Sequence, residues 1–97
     1  VFSAIDGVTF TSLDGVAPKL NFSNLSESIF SGNNLVEVDF TGADLTFSDL
    51  SDTNMSHANL SGANLSGANL SGAIITENTI ITESTILQCI GHPICKT

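Results

Sequence analysis

The sequence of 97 residues contains no Trp or Tyr, a single Met, and only two Lys/Arg. Ten Asp/Glu against these two cations give a formal net charge of -8 and an isoelectric point near 4.1. Nucleic-acid backbones and anionic membranes are bound through positive patches, so this balance argues against both as direct partners. The apolar runs are too short for a transmembrane helix. With 41% apolar residues, the chain is nevertheless expected to fold.

A repeat of five residues organises most of the chain. Every fifth residue from Leu20 to Ile75 is large and apolar, and the residue after it is Ser or Thr in ten of twelve cases. The residue before it is Asn or Asp in nine of twelve. The regular stretch over 57–73 reads His-Ala-Asn-Leu-Ser-Gly-Ala-Asn-Leu-Ser-Gly-Ala-Asn-Leu-Ser-Gly-Ala. A period of five fits neither the 3.6-residue period of a helix nor the two-residue period of a strand.

A chain that turns a corner every five residues accounts for this pattern. Each short side then points one large and one small side chain inward, while Asn, Asp, Ser and Gly suit the corners. Successive coils stack into a solenoid with an apolar interior and a mostly neutral polar skin.

The tandem motif Ala-Asn/Asp-Leu-Ser-Gly resembles the pentapeptide-repeat family. The resemblance covers residues 20–76 without a break and extends loosely from Ile5 to Ile86. It implies an all-β fold, a right-handed quadrilateral β-helix with four pentapeptides per coil, here of about four coils. With 20 residues per coil, Phe10, Phe30, Leu50 and Leu70 are expected to form one interior column, and Leu20, Phe40, Leu60 and Ile80 the next.

Three segments are predicted. Residues 1–19 depart from the repeat, with Gly15 where a Leu is expected and Pro18 in an inward phase, and are expected to form an irregular first coil. Residues 20–86 form the β-helix, with one extra residue near Glu83 where the repeat lengthens to six. Residues 87–97 are apolar and contain both cysteines, so we expect them to cap the open end.

Cys89 and Cys95 have five residues between them. A redox pair would normally be C-x-x-C, and with His92 a zinc ion would find only three ligands. We therefore favour a structural disulfide, with two free thiols or a metal site as the alternatives. Such a disulfide would contribute about 2 kcal/mol to the stability of the fold. It would also place the protein in an oxidising compartment, where disulfides persist.

The acidic residues predict a surface belt. The acidic belt comprises Glu37, Asp39, Asp44, Asp49 and Asp52. It is expected to keep the solenoid soluble and to form, with the outward Phe22, a candidate interaction surface. Some long dimeric members of the resembling family imitate DNA on gyrase, but that would require charge along the axis instead of around it.

Two further surface features leave alternatives open. His57 lies one coil from Glu37 and from Glu77, which indicates either an exposed histidine between two carboxylates or a metal or pH-responsive contact. Phe2 and Phe22 are 20 residues apart and are either covered by the N-terminal segment or form an apolar patch. Phe47 is also in an outward phase.

No catalytic constellation is present, and we expect no enzyme activity, cofactor or metal. The sequence predicts a structural or protein-interaction module with an unknown protein partner, no direct nucleic acid and no membrane insertion, as a monomer or weak homo-oligomer. Its expected location is the periplasm or thylakoid lumen after removal of a leader, in preference to the cytoplasm, since the repeat resembles those abundant in cyanobacteria. The alternative is an acidic DNA mimic that inhibits or protects a type II topoisomerase such as gyrase.

Overall fold

The computed structural model of the protein describes residues 19–96. Within this range there is no helix or extended strand; single-residue parallel β-bridges recur at every fifth position. The bridges of the regular part are Lys19–Asp39, Asn24–Asp44, Ile29–Asp49, Asn34–Asn54, Asp39–Asn59, Asp44–Asn64, Asp49–Asn69 and Asn54–Ile74. Residues 20 apart are therefore neighbours, and four five-residue sides make one coil.

Each corner forms two residues after a large apolar residue, where the backbone adopts the left-handed conformation with positive φ. In the turn that starts at Leu20, Phe22 has φ 57°, and the Ser23 N–H donates back to the Leu20 carbonyl at 3.3 Å. A positive φ at the third residue is typical of a type II turn, which favours Gly there. The following corners repeat this geometry at 27, 32, 37, 42 and onward to 72.

Stacking of the coils satisfies the rest of the backbone. The Leu20 N–H donates to the Asp39 carbonyl at 2.8 Å, and the Phe22 N–H donates to the Thr41 carbonyl at 2.8 Å. The same pair of bonds recurs along the chain, so each coil is joined to the next on all four sides. In the described part, every buried side-chain nitrogen and oxygen has a hydrogen-bond partner.

The large residue of each repeat fills the interior. The inward series is fully buried or nearly so: Leu20, Leu25, Phe30, Leu35, Phe40, Leu45, Leu50, Met55, Leu60, Leu65 and Leu70. Phe30 and Phe40 meet edge to face, with ring centroids 5.9 Å apart. The expected columns through these residues are confirmed, while Phe10, Phe2 and the rest of 1–18 lie outside the described residues.

The expected place of Ile80 in the interior is wrong. Asn59 bridges Ile80, 21 residues later, so Ile80 points outward and Ile81 packs against the core instead. Asn64 bridges Ile86 and Asn69 bridges Ile90. One extra residue therefore enters between 74 and 80 and another between 80 and 86, whereas only one insertion, near Glu83, was predicted. The step from 86 to 90 has four residues, one fewer than a regular side.

Threonine side chains hold the two longer sides in place. Thr79 Oγ1 donates to the Met55 carbonyl at 2.8 Å, and Thr85 Oγ1 donates to the Leu60 carbonyl at 2.7 Å. Both threonines are buried. In the regular five-residue sides the corresponding hydroxyl bonds within its own turn, as Ser48 Oγ does to the Leu45 carbonyl at 2.7 Å.

The shifted register predicts that two neighbouring isoleucines contribute very differently to stability. Ile81→Ala removes a side chain packed on the core and should lower the free energy of unfolding by about 1–2 kcal/mol. Ile80→Ala removes a side chain that is 47% exposed and should change it by less than about 0.5 kcal/mol. Urea unfolding followed by far-ultraviolet circular dichroism measures both, and the reverse order would contradict the register.

Residues 19–96 contain no helix of the length and apolar character needed to span a membrane.

Candidate functional site

The outward Asp and Asn side chains secure the corners of the solenoid. Asp39 Oδ1 accepts the backbone N–H of Thr41 at 2.9 Å and its hydroxyl at 2.6 Å. Asp44 does the same with Thr46 at 3.0 and 2.7 Å, and Asp49 with Ser51 at 3.0 and 2.6 Å. These Asx turns explain the Asn/Asp–Leu–Ser/Thr spacing of the repeat, because a short side-chain oxygen caps an N–H two residues later.

The acidic belt encircles the solenoid in the structure. Asp39, Asp44 and Asp49 lie on three successive sides, and one coil later each is followed by an amide: Asn59, Asn64 and Asn69. The two other members, Glu37 and Asp52, occupy exposed corners with φ of 64° and 56°. The negative charge of these five residues therefore runs around the axis. Their role as an interaction surface stays a prediction.

The contacts of Asp39 stabilise its ionised carboxylate. The hydrogen bond from the Thr41 hydroxyl lowers the pKa of its carboxyl below the usual value, helped by the Thr41 N–H and by the charge of Lys19. Lys19 is its bridge partner one coil earlier. These contacts favour the ionised form of the side chain.

Asp39 should stabilise the fold in a pH-dependent way. Because its folded pKa is lowered, the stabilisation is present above the unfolded value of about 3.9 and is lost as the pH falls through the folded value. Asp39→Asn keeps an acceptor for Thr41, as Asn59 Oδ1 accepts the Ser61 N–H at 3.0 Å, but cannot titrate. The urea midpoint of wild type should thus fall relative to that of Asp39→Asn as the pH is lowered from about 5. A constant difference over that range would contradict the assignment.

Phe22 and Phe47 are the most exposed large apolar side chains of the described part. They are 75% and 70% exposed, and both have φ of 57°. Each ring lies over the corner glycine one coil later: a Cβ added to Gly42 would meet the Phe22 ring at 2.5 Å, and one added to Gly67 would meet the Phe47 ring at 2.5 Å. Six of the described corners are left-handed without being glycine, and Phe22 and Phe47 are the two among them with large apolar side chains.

The last coil has an apolar rim that was not predicted from the sequence. It consists of Ile74, Ile80, Ile86 and Ile90, which occupy the outward bridge position on four successive sides and are 42–54% exposed. Elsewhere this position is mainly Asn or Asp. The signal was available in the sequence, because Ile74 already stands in the phase of Asn64 and Asn69.

The C-terminal tail contains the predicted disulfide. Cys89 and Cys95 are joined, with Cα atoms 5.0 Å apart, and Cys89 is fully buried. Leu87, Ile94 and Cys95 pack against the core, and the Lys96 N–H donates to the Leu87 carbonyl at 2.6 Å. The structure therefore has the favoured arrangement of these two cysteines, a disulfide. The tail covers part of the last coil.

Neither histidine assembles a metal site. His92 Nδ1 accepts the Ile94 N–H at 3.2 Å, within the disulfide loop. His57 is exposed at a corner, one coil from Glu37, whose N–H donates to the Ser56 carbonyl at 3.1 Å. Over 19–96 no group of three or more His, Cys, Asp or Glu side chains could hold a metal ion, and no pocket was found.

Comparison with known proteins identifies the architecture. The family model for pentapeptide repeats matches eight copies, over residues 18–46 and 39–77, which together cover more than half of the chain. The chain belongs to the pentapeptide-repeat family. Its four-sided coils are therefore those of a right-handed β-helix.

Two solved pentapeptide-repeat structures resemble the chain. One is a protein from the Arabidopsis thaliana thylakoid lumen, with 31% identity and a TM-score of 0.69; the match covers 87% of this chain and 57% of that one. The other is from the cyanobacterium Cyanothece 51142, with 32% identity and a TM-score of 0.52, over 69% of this chain and 52% of that one. The chain thus spans little more than half the length of either. No curated protein matches it.

Proposed function

We propose that this pentapeptide-repeat protein is a non-enzymatic interaction module that presents a rigid surface to another protein in an oxidising compartment. The proposal rests on one observation, the structural role of the repeated side chains. The repeated Asp, Asn, Ser and Thr side chains cap corners of the solenoid, and the large apolar side chains of the regular coils fill its interior. The groups left for recognition are those on the outer faces.

The acidic belt and Phe22 are the proposed contact residues. One carboxylate oxygen of Asp39, Asp44 and Asp49 caps a corner, which holds each group at a fixed place on its side. A partner would then meet charges in a preset arrangement, which reduces the entropy lost on binding.

The compartment is proposed from two observations. The Cys89–Cys95 disulfide fixes the tail, and disulfides persist mainly outside the reducing cytosol. The solved neighbour with the higher TM-score comes from a thylakoid lumen. We therefore propose the thylakoid lumen or an equivalent exported space, such as the periplasm, as the place where the protein works.

Photo-crosslinking in the source cell tests the interaction function. A photoreactive phenylalanine analogue would replace Glu37, Phe47 or Asp52 in turn, since all three occupy exposed corners. A matched sample of each variant that is kept in the dark serves as the control. We expect a discrete adduct from at least one corner after irradiation and none in the dark. The absence of adducts from every exposed corner would contradict the proposal, and inhibition of gyrase supercoiling at micromolar protein would favour the DNA-mimic alternative instead.

A further inference from the structure

We propose that one side of the solenoid, bounded by two exposed phenylalanines, is a docking site for a basic, arginine-bearing segment of a partner protein. The Phe22–Phe47 side is defined here as residues 22–27 and 42–47, two stacked coils of the same side. The proposal rests on the interaction function proposed above and adds to it the place of contact and the chemistry of the partner.

The two rings are poorly explained by the stability of the fold. A left-handed conformation costs a residue with a Cβ free energy that glycine does not lose, and the equivalent corners one coil later are Gly42 and Gly67. Burial offsets little of that cost, because Phe22 and Phe47 are 75% and 70% exposed. The other non-glycine corners, Glu27, Glu37, Asp52 and His57, are left-handed as well, but only at Phe22 and Phe47 does a large apolar side chain stay exposed, which indicates a contact outside the chain.

The register places the two rings on the same side of the solenoid. Asn24 bridges Asp44, so residues 22–27 lie directly against 42–47 at the inter-strand spacing of about 4.8 Å. Phe22 occupies the first corner of the upper coil, and Phe47 the last corner of the lower one. The two rings therefore lie at opposite ends of the side, the Phe22 ring over Gly42 and the Phe47 ring over Gly67 of the following coil.

Two carboxylates share this side with the rings. Glu27 is exposed at the corner one coil from Phe47, and its N–H donates to the Thr46 carbonyl at 2.9 Å. Asp44 lies between the corners, is partly exposed, and uses Oδ1 to cap Thr46. The side holds no Lys, Arg or His.

This combination selects a cationic partner segment. Aromatic faces attract guanidinium and ammonium groups, and arginine also forms paired hydrogen bonds with carboxylates. A wholly apolar segment would bury Glu27 and Asp44 without partners, which is unfavourable. A second copy of the chain would oppose acid to acid, since the formal net charge is -8. An anionic membrane is excluded by the same sign.

Fluorescence anisotropy with a defined peptide tests the proposal. The probe is a labelled peptide of four Arg-Gly repeats, compared with peptides of four Glu-Gly and four Leu-Ser repeats at about 0.15 M salt. We expect binding of the arginine peptide alone. The double variant Phe22→Ser/Phe47→Ser should weaken it about tenfold, and Glu27→Gln/Asp44→Asn by a similar factor. Asn at position 44 retains the corner cap, as Asn64 Oδ1 does for Ser66 at 3.0 Å.

A matched control separates this side from general charge attraction. Ile74→Ser/Ile90→Ser also removes two exposed apolar side chains, but on other sides of the solenoid, and should leave the affinity within about twofold. The proposal would be overturned if the phenylalanine and isoleucine double variants weakened binding equally, or if neither of them weakened it. Equal binding of the Leu-Ser peptide, or no binding of the arginine peptide, would also overturn it. Adducts from position 37 or 52 in the crosslinking experiment alongside such a result would refute this site while leaving the interaction function intact.

Discussion

Replacing Leu50 with alanine is expected to lower the free energy of unfolding by about 3 kcal/mol, within the range of 2–5 kcal/mol for buried leucines. Leu50 is fully buried between Phe30 and Leu70 of its column. The cavity should collapse poorly, because the backbone of each coil is held at fixed spacing by bonds such as that from the Leu50 N–H to the Asn69 carbonyl at 2.8 Å.

Urea unfolding by circular dichroism measures the Leu50 effect, since a chain without Trp or Tyr has little intrinsic fluorescence. Ile74→Ala is the control: this side chain is 51% exposed in the outward phase, and its loss should cost less than about 0.5 kcal/mol. If the two variants unfolded at the same urea concentration, the assignment of inward and outward phases would be wrong.

Replacing Gly91 with alanine is expected to have the second-largest effect, about 3 kcal/mol, as the sum of backbone strain and overpacking. Gly91 has φ 89°, and a Cβ there would come within 2.8 Å of the Ser71 backbone nitrogen and 3.0 Å of its Cα. Backbone atoms cannot move aside as a flexible side chain can, so the tail would have to shift away from the last coil.

Gly32→Ala isolates the strain from the collision. Gly32 has φ 74°, and a Cβ there would meet no atom within 4 Å, so only the left-handed conformation is penalised, by about 1 kcal/mol. Both variants are to be unfolded in urea with the disulfide intact. Equal destabilisation by the two substitutions would show that the tail does not pack closely on Ser71.

The regular coils could be predicted from the sequence because one local rule repeats. The outward Asn and Asp side chains cap the N–H two residues on, which belongs to Ser or Thr at every such corner except Val36, and the large apolar residue in between points inward, so the phase of Leu20 fixes that of Leu70. The rule fails where the length of a side changes. A fixed period placed Ile80 inside, whereas the bond from Thr79 to the Met55 carbonyl accommodates an extra residue and turns Ile80 outward.

The surface was predictable only in part. The outward phase of Phe22 is visible in the sequence, but its packing over Gly42 depends on which corners are stacked. The Cys89–Cys95 pairing could be favoured from the spacing and the lack of a fourth zinc ligand. The contact of Cys95 and Ile94 with the core could not, since it depends on how the tail folds back on Leu87.

The thiol state of Cys89 and Cys95 in the source cell most directly tests the claim that the protein acts in an oxidising compartment. Cells are quenched in acid, free thiols are alkylated, and the intact mass is measured before and after reduction. We predict no alkylation before reduction and two added groups after it, as the disulfide requires. Two alkylated cysteines without reduction would contradict the compartment and make a cytosolic enzyme such as gyrase the first target to test.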